Sequence, residues 1–160
     1  MIPAIHITEL FDERLQDARA FLRRQGRLPA DFAQPPCRYW AACDSDQIVG
    51  TIGLEWQGAA GLVRLAFVRP SHRSRRLGLA LYHRLASDAL CMGLTELYLF
   101  STGAGGYWRR LGFASCPVAE AAGKLANTPQ VRDHTARNTL HHEQAFHRSL
   151  LTRRMEAAPA

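Results

Sequence analysis

The feature that most constrains this chain is the stretch of residues 62–80, where an apolar run, a basic turn and a second apolar pattern follow one another. Residues 62–68 are mostly aliphatic or aromatic and lie between Gly61 and Pro70. This pattern is typical of a strand, which Pro70 ends because proline donates no ladder hydrogen bond. From Leu77 the apolar residues recur at helical spacing, so a helix is predicted to begin there.

The turn between this strand and this helix is strongly basic and contains Arg69, Arg73, Arg75 and Arg76. A basic turn at a helix N-terminus suits phosphate binding, because free backbone N–H groups and the positive end of the helix dipole point the same way. No Asp or Glu lies between Arg64 and Tyr82, so no acidic residue nearby in sequence neutralises the charge. The alternative is a solvated arginine-rich loop without a ligand, which is a common use of such turns.

The composition limits the class of protein. A chain of 160 residues with 47% hydrophobic and 21% charged residues is sufficient for one globular domain with its own core. It has no apolar run of transmembrane length and no basic leader, so we expect a cytoplasmic protein without a membrane partner. The four cysteines form no C-x-x-C pair and are expected to be reduced. A net charge of +6 permits a polyanionic partner without requiring one.

The remaining pattern predicts an alternation of strands and helices. We predict a first strand in residues 1–7, a helix from Thr8 to Gly26, strands at 38–43, 47–56 and 62–68, a helix from Leu77 to Gly93, a strand at 96–100, a short helix at 107–111 and a final core strand at 113–118. Short turns imply antiparallel neighbours, whereas the strand after the long helix should lie parallel to the strand before it. An amphipathic helix is predicted over residues 139–155, with fraying from 156 to 160.

Two segments resemble the signatures of the GNAT superfamily of N-acetyltransferases. The acetyl-CoA loop of that family usually reads Arg/Gln-x-x-Gly-x-Gly/Ala, and residues 73–78 fill it with Arg76 in place of a glycine. A second register, residues 75–80, keeps both small residues but lies further from Pro70. Residues 107–113 resemble the family's aromatic-Tyr-x-x-Leu-Gly-Phe helix, with Trp108 where the tyrosine is usual. Together the two segments extend the resemblance over about residues 38–117.

The resemblance implies an α/β (α+β) fold: a mixed, mostly antiparallel central sheet flanked by helices, with a splayed parallel strand pair forming the CoA cleft. It implies one N-acetyltransferase-like domain over residues 1–160, with a core at about 1–118 and a helical extension at 119–160. The implied activity is direct transfer of acetyl from acetyl-CoA to a primary amine of a small, amino-acid-like molecule in a ternary complex. The residues that would hold acetyl-CoA are Ala66, Phe67, Val68, Arg73, Ser74, Arg75, Arg76, Leu77, Gly78, Leu79, Ser101 and Trp108.

The reaction needs a group that takes a proton from the amine and a group that protonates the leaving thiolate. Glu55 is the predicted base, because a carboxylate in an apolar strand is partly desolvated and its pKa is raised; the alternative is an exposed glutamate on a hairpin. Tyr107 is the predicted acid, although it lies one position before the family's tyrosine and on a helix would point about 100° away from it. The alternatives for Tyr107 are a core or pocket-wall aromatic, with water as the acid.

Residues 54–55, 62–64 and 99–104 also resemble the arsenic-resistance subgroup of these acetyltransferases, whose members act on small amino-acid-like anions. That resemblance implies that Arg64 binds a substrate carboxylate through a bidentate fork. The match is poor beyond Val118, so the acceptor itself is not carried over.

Other functions compete with this interpretation. A GNAT-like domain that binds acyl-CoA as a sensor but has lost its chemistry would also explain the loop, and Trp108 favours it. A nucleic-acid binder is disfavoured because aromatic and basic residues are not interleaved on one strand face. No metal site is expected, since the spacing from His142 to His147 is one residue too long for H-E-x-x-H. A homodimer is left open.

Overall fold

The computed structural model describes residues 5–151 of the chain. Its helices and strands are β1 (Ile5–Glu9), α1 (Glu13–Arg24), β2 (Cys37–Asp44), β3 (Gln47–Gln57), β4 (Ala60–Val68), α2 (Leu77–Cys91), β5 (Glu96–Phe100), α3 (Gly105–Arg110), β6 (Ala114–Cys116), α4 (Val118–Lys124), α5 (Pro129–Arg137) and β7 (Ala145–Ser149). Short 3-10 turns occupy Pro70–His72 and Leu140–His142. No helix within residues 5–151 is long and apolar enough to cross a membrane.

The strands form one seven-stranded sheet in the order β1-β2-β3-β4-β5-β7-β6. Strands β4 and β5 are parallel, from Ala60 opposite Glu96 to Val63 opposite Leu99, as the crossover through α2 requires. Strand β1 is antiparallel to β2, and β7 is antiparallel to both β5 and β6. The predicted mixed, mostly antiparallel sheet with one parallel pair is therefore confirmed.

The chain divides into two compact units, Met1–Leu54 with Arg64–Ser87 and Glu55–Val63 with Asp88–Ala160. The core of the first unit includes Ala18, Phe21 and Leu22 on one face of α1, packed with side chains of β2 and β3 such as Ala41 and Ile48. Positions 18, 21 and 22 recur at helical spacing, so the face that α1 buries is the one its sequence predicts. Gly53 lets the Tyr39 ring approach, since a Cβ at Gly53 would lie 2.5 Å from that ring.

The core of the second unit lies between its strands and the helices α4 and α5. Leu62, Tyr98 and Ala145 come from β4, β5 and β7, and they pack with Leu125 and Val131 of the helical segment. The helical segment covers this face of the three strands, so these apolar side chains are buried. The prediction of a single domain is not tested by this division and stays a prediction.

Three predicted elements need correction. Helix α1 begins at Glu13 and not at Thr8, because Thr8 belongs to β1 and pairs with Ala41. The predicted final core strand is shortened to β6, where Ala114 and Ser115 are exposed. Only Ala114–Cys116 of the predicted strand at 113–118 form a strand, which lies at the edge of the sheet. Val118 is already the first residue of α4.

The predicted helix over residues 139–155 is wrong within the described residues. Ala145–Ser149 forms β7, which is hydrogen-bonded to β5 on one side and to β6 on the other. The sequence of the five residues of β7 cannot specify this pairing by itself, because the partners of β7 are strands earlier in the chain. The extension at 119–160 is therefore helical only in part, and residues 1–4 and 152–160, including the predicted frayed end, lie outside the described residues.

Candidate active site

The 73–78 loop of the first unit joins β4 to α2 and has an unusual backbone. Ser74 has φ 72° and Arg76 has φ 58°, both in the left-handed region that favours glycine. Helix α2 then begins at Leu77, whose side chain is buried. Turns of this kind together with a helix N-terminus present successive backbone N–H groups to an anion. The substitution of Arg76 for a glycine thus changes the side chain but keeps the backbone conformation.

The side chains around this loop add positive charge. Arg73, Ser74, Arg75 and Arg76 are all exposed, while Gly78 and Leu79 are half-buried. The guanidinium of Arg73 donates from Nε to the carbonyl oxygen of Val68 at 3.0 Å and lies 5.6 Å from the centre of the Phe67 ring. The predicted residues from Ala66 to Leu79 therefore lie on one continuous segment of the first unit.

Strand β4 is distorted just before this segment. Leu65 has φ 53°, and its carbonyl oxygen accepts a hydrogen bond of 2.8 Å from the hydroxyl of Thr51. A left-handed residue inside a strand bends it and changes the direction of the residues that follow, here Ala66 to Val68. The sequence carries no signal for this distortion.

A polar network that sequence reasoning missed holds the start of the loop. His72 is buried, and its Nε2 lies 2.8 Å from Asp44 Oδ2 while its Nδ1 lies 2.8 Å from the hydroxyl of Ser71. The Ser71 hydroxyl also accepts a hydrogen bond of 2.9 Å from Arg69 Nε. The turn Pro70–His72 is thus fastened to the end of β2, a contact that separate stretches of sequence do not reveal.

The first unit also has an open pocket of about 520 Å³ beside Arg69. Arg14, Arg24, Asp17 and Asp46 line it as well. Arg14 and Asp17 form an ion pair of 2.6 Å, so much of the pocket's charge is neutralised internally. The pocket is therefore only weakly basic, in contrast to the 73–78 loop.

Arg64, the predicted ligand of a substrate carboxylate, has a protein partner. Its Nη1 donates to Asp31 Oδ2 at 2.8 Å and its Nη2 donates to Asp31 Oδ1 at 3.0 Å. Both side chains are buried in the first unit. A second carboxylate would have to displace Asp31, and separating a buried pair costs about 3–5 kcal/mol. The pair explains Arg64 without a substrate.

Glu55, the predicted base, lies in the second unit and is 0% exposed. Its Oε1 accepts a hydrogen bond of 2.9 Å from the backbone N–H of Gln130, in the first turn of α5. Thr128 caps this helix without a side-chain hydrogen bond, so Glu55 satisfies a donor that the helix leaves open. The alternative of an exposed glutamate is excluded.

Helix α3 carries two neighbouring aromatic residues, Tyr107 and Trp108, whose rings meet edge-on with centres 5.1 Å apart. Trp108 is buried and packs edge-on against Phe113, with ring centres 5.5 Å apart. Tyr107 is 36% exposed, which excludes a core position, and partial burial raises the pKa of its phenol above the ordinary value. Ser101 precedes this helix and accepts a hydrogen bond of 3.2 Å from the Ala104 N–H.

The histidines near the C-terminus are not alike. His141 and His142 are exposed, but His147 is half-buried in β7 and pairs with Glu96 at 2.9 Å. Within residues 5–151, no three His, Cys, Asp or Glu side chains are grouped so as to hold a metal ion. His134 of α5, which sequence reasoning missed, lies between Thr139 and Glu143.

Comparison with solved structures finds the same fold in known enzymes. An acetyltransferase of the GNAT family from Staphylococcus aureus Mu50 superposes with a TM-score of 0.70 at 16% identity, covering 92% of this chain and 99% of that chain. N-acetylglutamate synthase from Neisseria gonorrhoeae, complexed with coenzyme A and N-acetyl-glutamate, gives 0.67 at 15% identity over 92% of this chain and 35% of that chain. Ribosomal-protein-S18-alanine N-acetyltransferase from Escherichia coli gives 0.62 at 16% identity over 71% and 80%.

At these identities the solved structures show the fold alone, and no curated protein matches the sequence. The resemblance to the arsenic-resistance subgroup is not confirmed. The profile of the acetyltransferase (GNAT) family matches residues 6–113, which is more than half of the chain. This match includes both signature segments, residues 73–78 and residues 107–113, and β5 between them. The chain therefore belongs to the acetyltransferase (GNAT) family.

Proposed function

We propose that this protein transfers the acetyl group of acetyl-CoA directly to a primary amine of a small molecule. The family is one of acyltransferases, and acetyl-CoA is its co-substrate. The observation that carries the proposal is the backbone of the 73–78 loop, where Arg76 keeps a left-handed φ at a position usually occupied by glycine. This conformation costs an arginine about 1–2 kcal/mol, and hydrogen bonds from the loop N–H groups to a bound phosphate would offset that cost.

In this proposal the first unit binds the phosphate groups of the co-substrate. The backbone N–H groups of the loop and of the first turn of α2 donate to the pyrophosphate, and the exposed guanidiniums of Arg75 and Arg76 supply countercharge. The network of Asp44, His72 and Ser71 holds the start of the loop before the ligand arrives. Preorganisation of this kind reduces the ordering cost of binding.

The chemistry is a direct displacement at the thioester. The amine nitrogen attacks the carbonyl carbon, the carbon–sulfur bond breaks, and the thiolate leaves with the electron pair. A primary ammonium loses two protons in all, one before the attack and one from its nitrogen after it, and both leave through the base to water, while the thiolate gains one from the acid. Tyr107 is the proposed acid, because its phenol is protonated at neutral pH and is partly exposed on α3. Glu55 is one candidate base.

The acceptor is proposed to be a small amine and not a protein. The structural neighbours named above include an enzyme complexed with N-acetyl-glutamate and one named for a ribosomal protein, so the fold alone allows both classes. The cytoplasmic location and a homodimeric state stay predictions.

The second candidate function is an acyl-CoA sensor without chemistry. The buried Trp108 supports it, because an indole there cannot protonate a thiolate as the usual tyrosine does. One experiment separates the two functions: titration of the protein with acetyl-CoA by calorimetry, followed by measurement of free thiol release with a panel of small primary amines. A transferase binds and releases CoA when an amine is present, whereas a sensor binds without releasing it. Absence of binding would contradict both.

A further inference from the structure

We propose that His134 and Glu143 form a binding site for a primary ammonium group, and that Nε2 of His134 takes the proton from it. Both residues belong to the second unit, where α5 carries His134 and the segment before β7 carries Glu143. The inference rests on the proposed function and deepens it, because it assigns a base and recognises the acceptor by its –NH₃⁺ group. We call these two residues the amine pair.

The two side chains of the amine pair are close to each other but are not joined by a direct hydrogen bond. His134 Nε2 lies 3.8 Å from Glu143 Oε1, which exceeds the 2.7–3.2 Å of a direct hydrogen bond. Their side chains are 17% and 21% exposed, so both are partly shielded but reachable. The imidazole ring also packs near Phe100 at the end of β5, with ring centres 5.8 Å apart. The ring is thus held by an apolar contact while its Nε2 edge faces a carboxylate.

Thr139 is the hydrogen-bond partner of His134 Nδ1. Its hydroxyl lies 2.8 Å from Nδ1, whereas its contact with the carbonyl oxygen of His134, at 3.4 Å, is longer than an ordinary O–H···O hydrogen bond. A hydroxyl can accept as well as donate, so it can accept from Nδ1–H. In the proposed scheme Nδ1 carries the proton and donates to Thr139, which leaves the lone pair of the neutral imidazole on Nε2. Thr139 is a positioning residue in this scheme.

A primary ammonium can contact both acceptors from one side, because two atoms 3.8 Å apart can each lie about 2.8 Å from one nitrogen. It has three N–H donors, so it can donate one to Nε2 and one to the Glu143 carboxylate, at about 2.8 Å each. The N–H bond directed at Nε2 then breaks, an Nε2–H bond forms, and the electron pair remains on the amine nitrogen, ready to attack. The imidazolium is stabilised by Glu143 and afterwards releases its proton to water. A quaternary ammonium has the charge but no hydrogen to donate or transfer.

The same helix explains why Glu55 is the weaker candidate. Glu55 already accepts a backbone N–H at the first turn of α5 and is fully buried, so it has a structural partner. The other charged pair on α5, Asp133 with Arg137, is closed on itself at 3.1 Å. Histidine is also the residue type most often used to take a proton near neutral pH. The structure thus gives Glu55 a role in the fold and His134 an open acceptor.

The first test is binding, measured on the full chain by the side-chain ¹⁵N resonances of His134. Propylammonium chloride should shift the Nε2 resonance saturably, while tetramethylammonium chloride, its matched control without N–H groups, should not. Glu143→Gln should weaken the propylammonium effect about tenfold. Thr139→Val should change the tautomer signature, and Thr139→Ser should restore it. Equal responses to both cations, or no response to either, would overturn the proposal.

The second test is turnover with an amine accepted in the thiol-release panel. His134→Gln should lower kcat by about 10²–10⁴-fold with the Kd for acetyl-CoA unchanged, and the exposed His141→Gln should match the parent. Glu143→Gln should raise KM for the amine more than it lowers kcat. A His134→Gln variant with parental kcat would overturn the assignment of the base. If the parent accepts no amine but its His134 still binds propylammonium, the ammonium site stands and the transferase proposal fails.

Discussion

The 73–78 loop of the first unit and the α5 region of the second unit are built in opposite ways. The loop is one continuous, exposed segment whose features are backbone conformation and charge. The α5 region gathers Glu55 from β3, Gln130 and His134 from α5, and Glu143 from beyond α5. None of these four residues is next to another in sequence, yet two pairs of them lie within 4 Å.

The difference follows from what each region is proposed to bind. A phosphate is recognised by backbone N–H groups and positive charge, which a short segment can supply by itself. An acid–base site needs a side chain in a defined tautomer and orientation, and other elements must supply the partners that impose them. Phosphate binding is therefore encoded locally, whereas proton transfer depends on tertiary contacts.

The largest expected effect is that of Gly78→Glu, which disrupts the proposed phosphate contacts of the 73–78 loop. A carboxylate beside the pyrophosphate costs several kcal/mol, so the Kd for acetyl-CoA should rise by about 10²-fold or more while the fold is kept. Calorimetry measures the affinity, and the gain in melting temperature with acetyl-CoA provides a second reading. The control is Gly123→Glu, an exposed helical glycine with no atom within 4 Å of an added Cβ. Equal affinities of the two variants would remove the loop from the binding site.

Two replacements of Arg76 distinguish the effect of its charge on acetyl-CoA binding from the effect of its backbone conformation on stability. Arg76→Gly and Arg76→Ala remove the same charge, so both should raise the Kd for acetyl-CoA about tenfold and flatten its salt dependence. Alanine must still adopt φ 58°, so Arg76→Gly should unfold with a free energy about 1 kcal/mol greater than Arg76→Ala. Urea unfolding measures the difference. Identical unfolding curves would mean that the left-handed conformation is not retained in solution.

Substitutions of Glu55 test the tertiary contacts of the α5 region. Glu55→Gln keeps an acceptor for the Gln130 N–H and the shape of the side chain, so the free energy of unfolding should change by less than about 1 kcal/mol. With His134 as the base, kcat should fall by less than about tenfold. Glu55→Leu also loses the acceptor and should cost about 1–3 kcal/mol more. A larger loss of kcat in Glu55→Gln than in His134→Gln would return the role of base to Glu55.

The smallest expected effect is a loss of stability at acidic pH, which we assign to Glu96 of the second unit and its partners Lys124 and His147. Burial alone would raise the pKa of the Glu96 carboxyl, but hydrogen bonds from Lys124 and His147 outweigh it and hold the pKa below its ordinary value of 4.5. Because the pKa is lower in the folded protein, this stabilisation is present above pH 4.5 and is lost as the pH falls through the folded value.

Glu96 is partly solvated, so its contribution to the free energy of unfolding should be at most about 1 kcal/mol. Urea unfolding between neutral pH and pH 3 measures it, and Glu96→Gln should flatten that dependence relative to the exposed Glu13→Gln. Parallel curves for the two variants would contradict this interpretation.

The local elements of the fold were predictable because their signals lie within a few residues. The bounds of β5 are those of the prediction, and α2 begins at the predicted Leu77, since an apolar run and a helical period are both short-range patterns. The 73–78 loop was recognisable from a single segment for the same reason. The parallel pairing of β4 and β5 also followed, because one helix between two strands allows few arrangements.

What only the tertiary structure decided was which distant residues meet. Strand β7 is a strand because β5 and β6 are available on either side of it, and its own apolar pattern resembles a helix equally well. Arg64 could be recognised as a carboxylate ligand, but its partner Asp31 lies in a loop that no spacing connects to it. His134 carries no motif, and its neighbours Thr139, 2.8 Å from Nδ1, and Glu143, 3.8 Å from Nε2, are known only from the fold. Side-chain contacts of this kind arise from packing, so a reading of one segment at a time cannot find them.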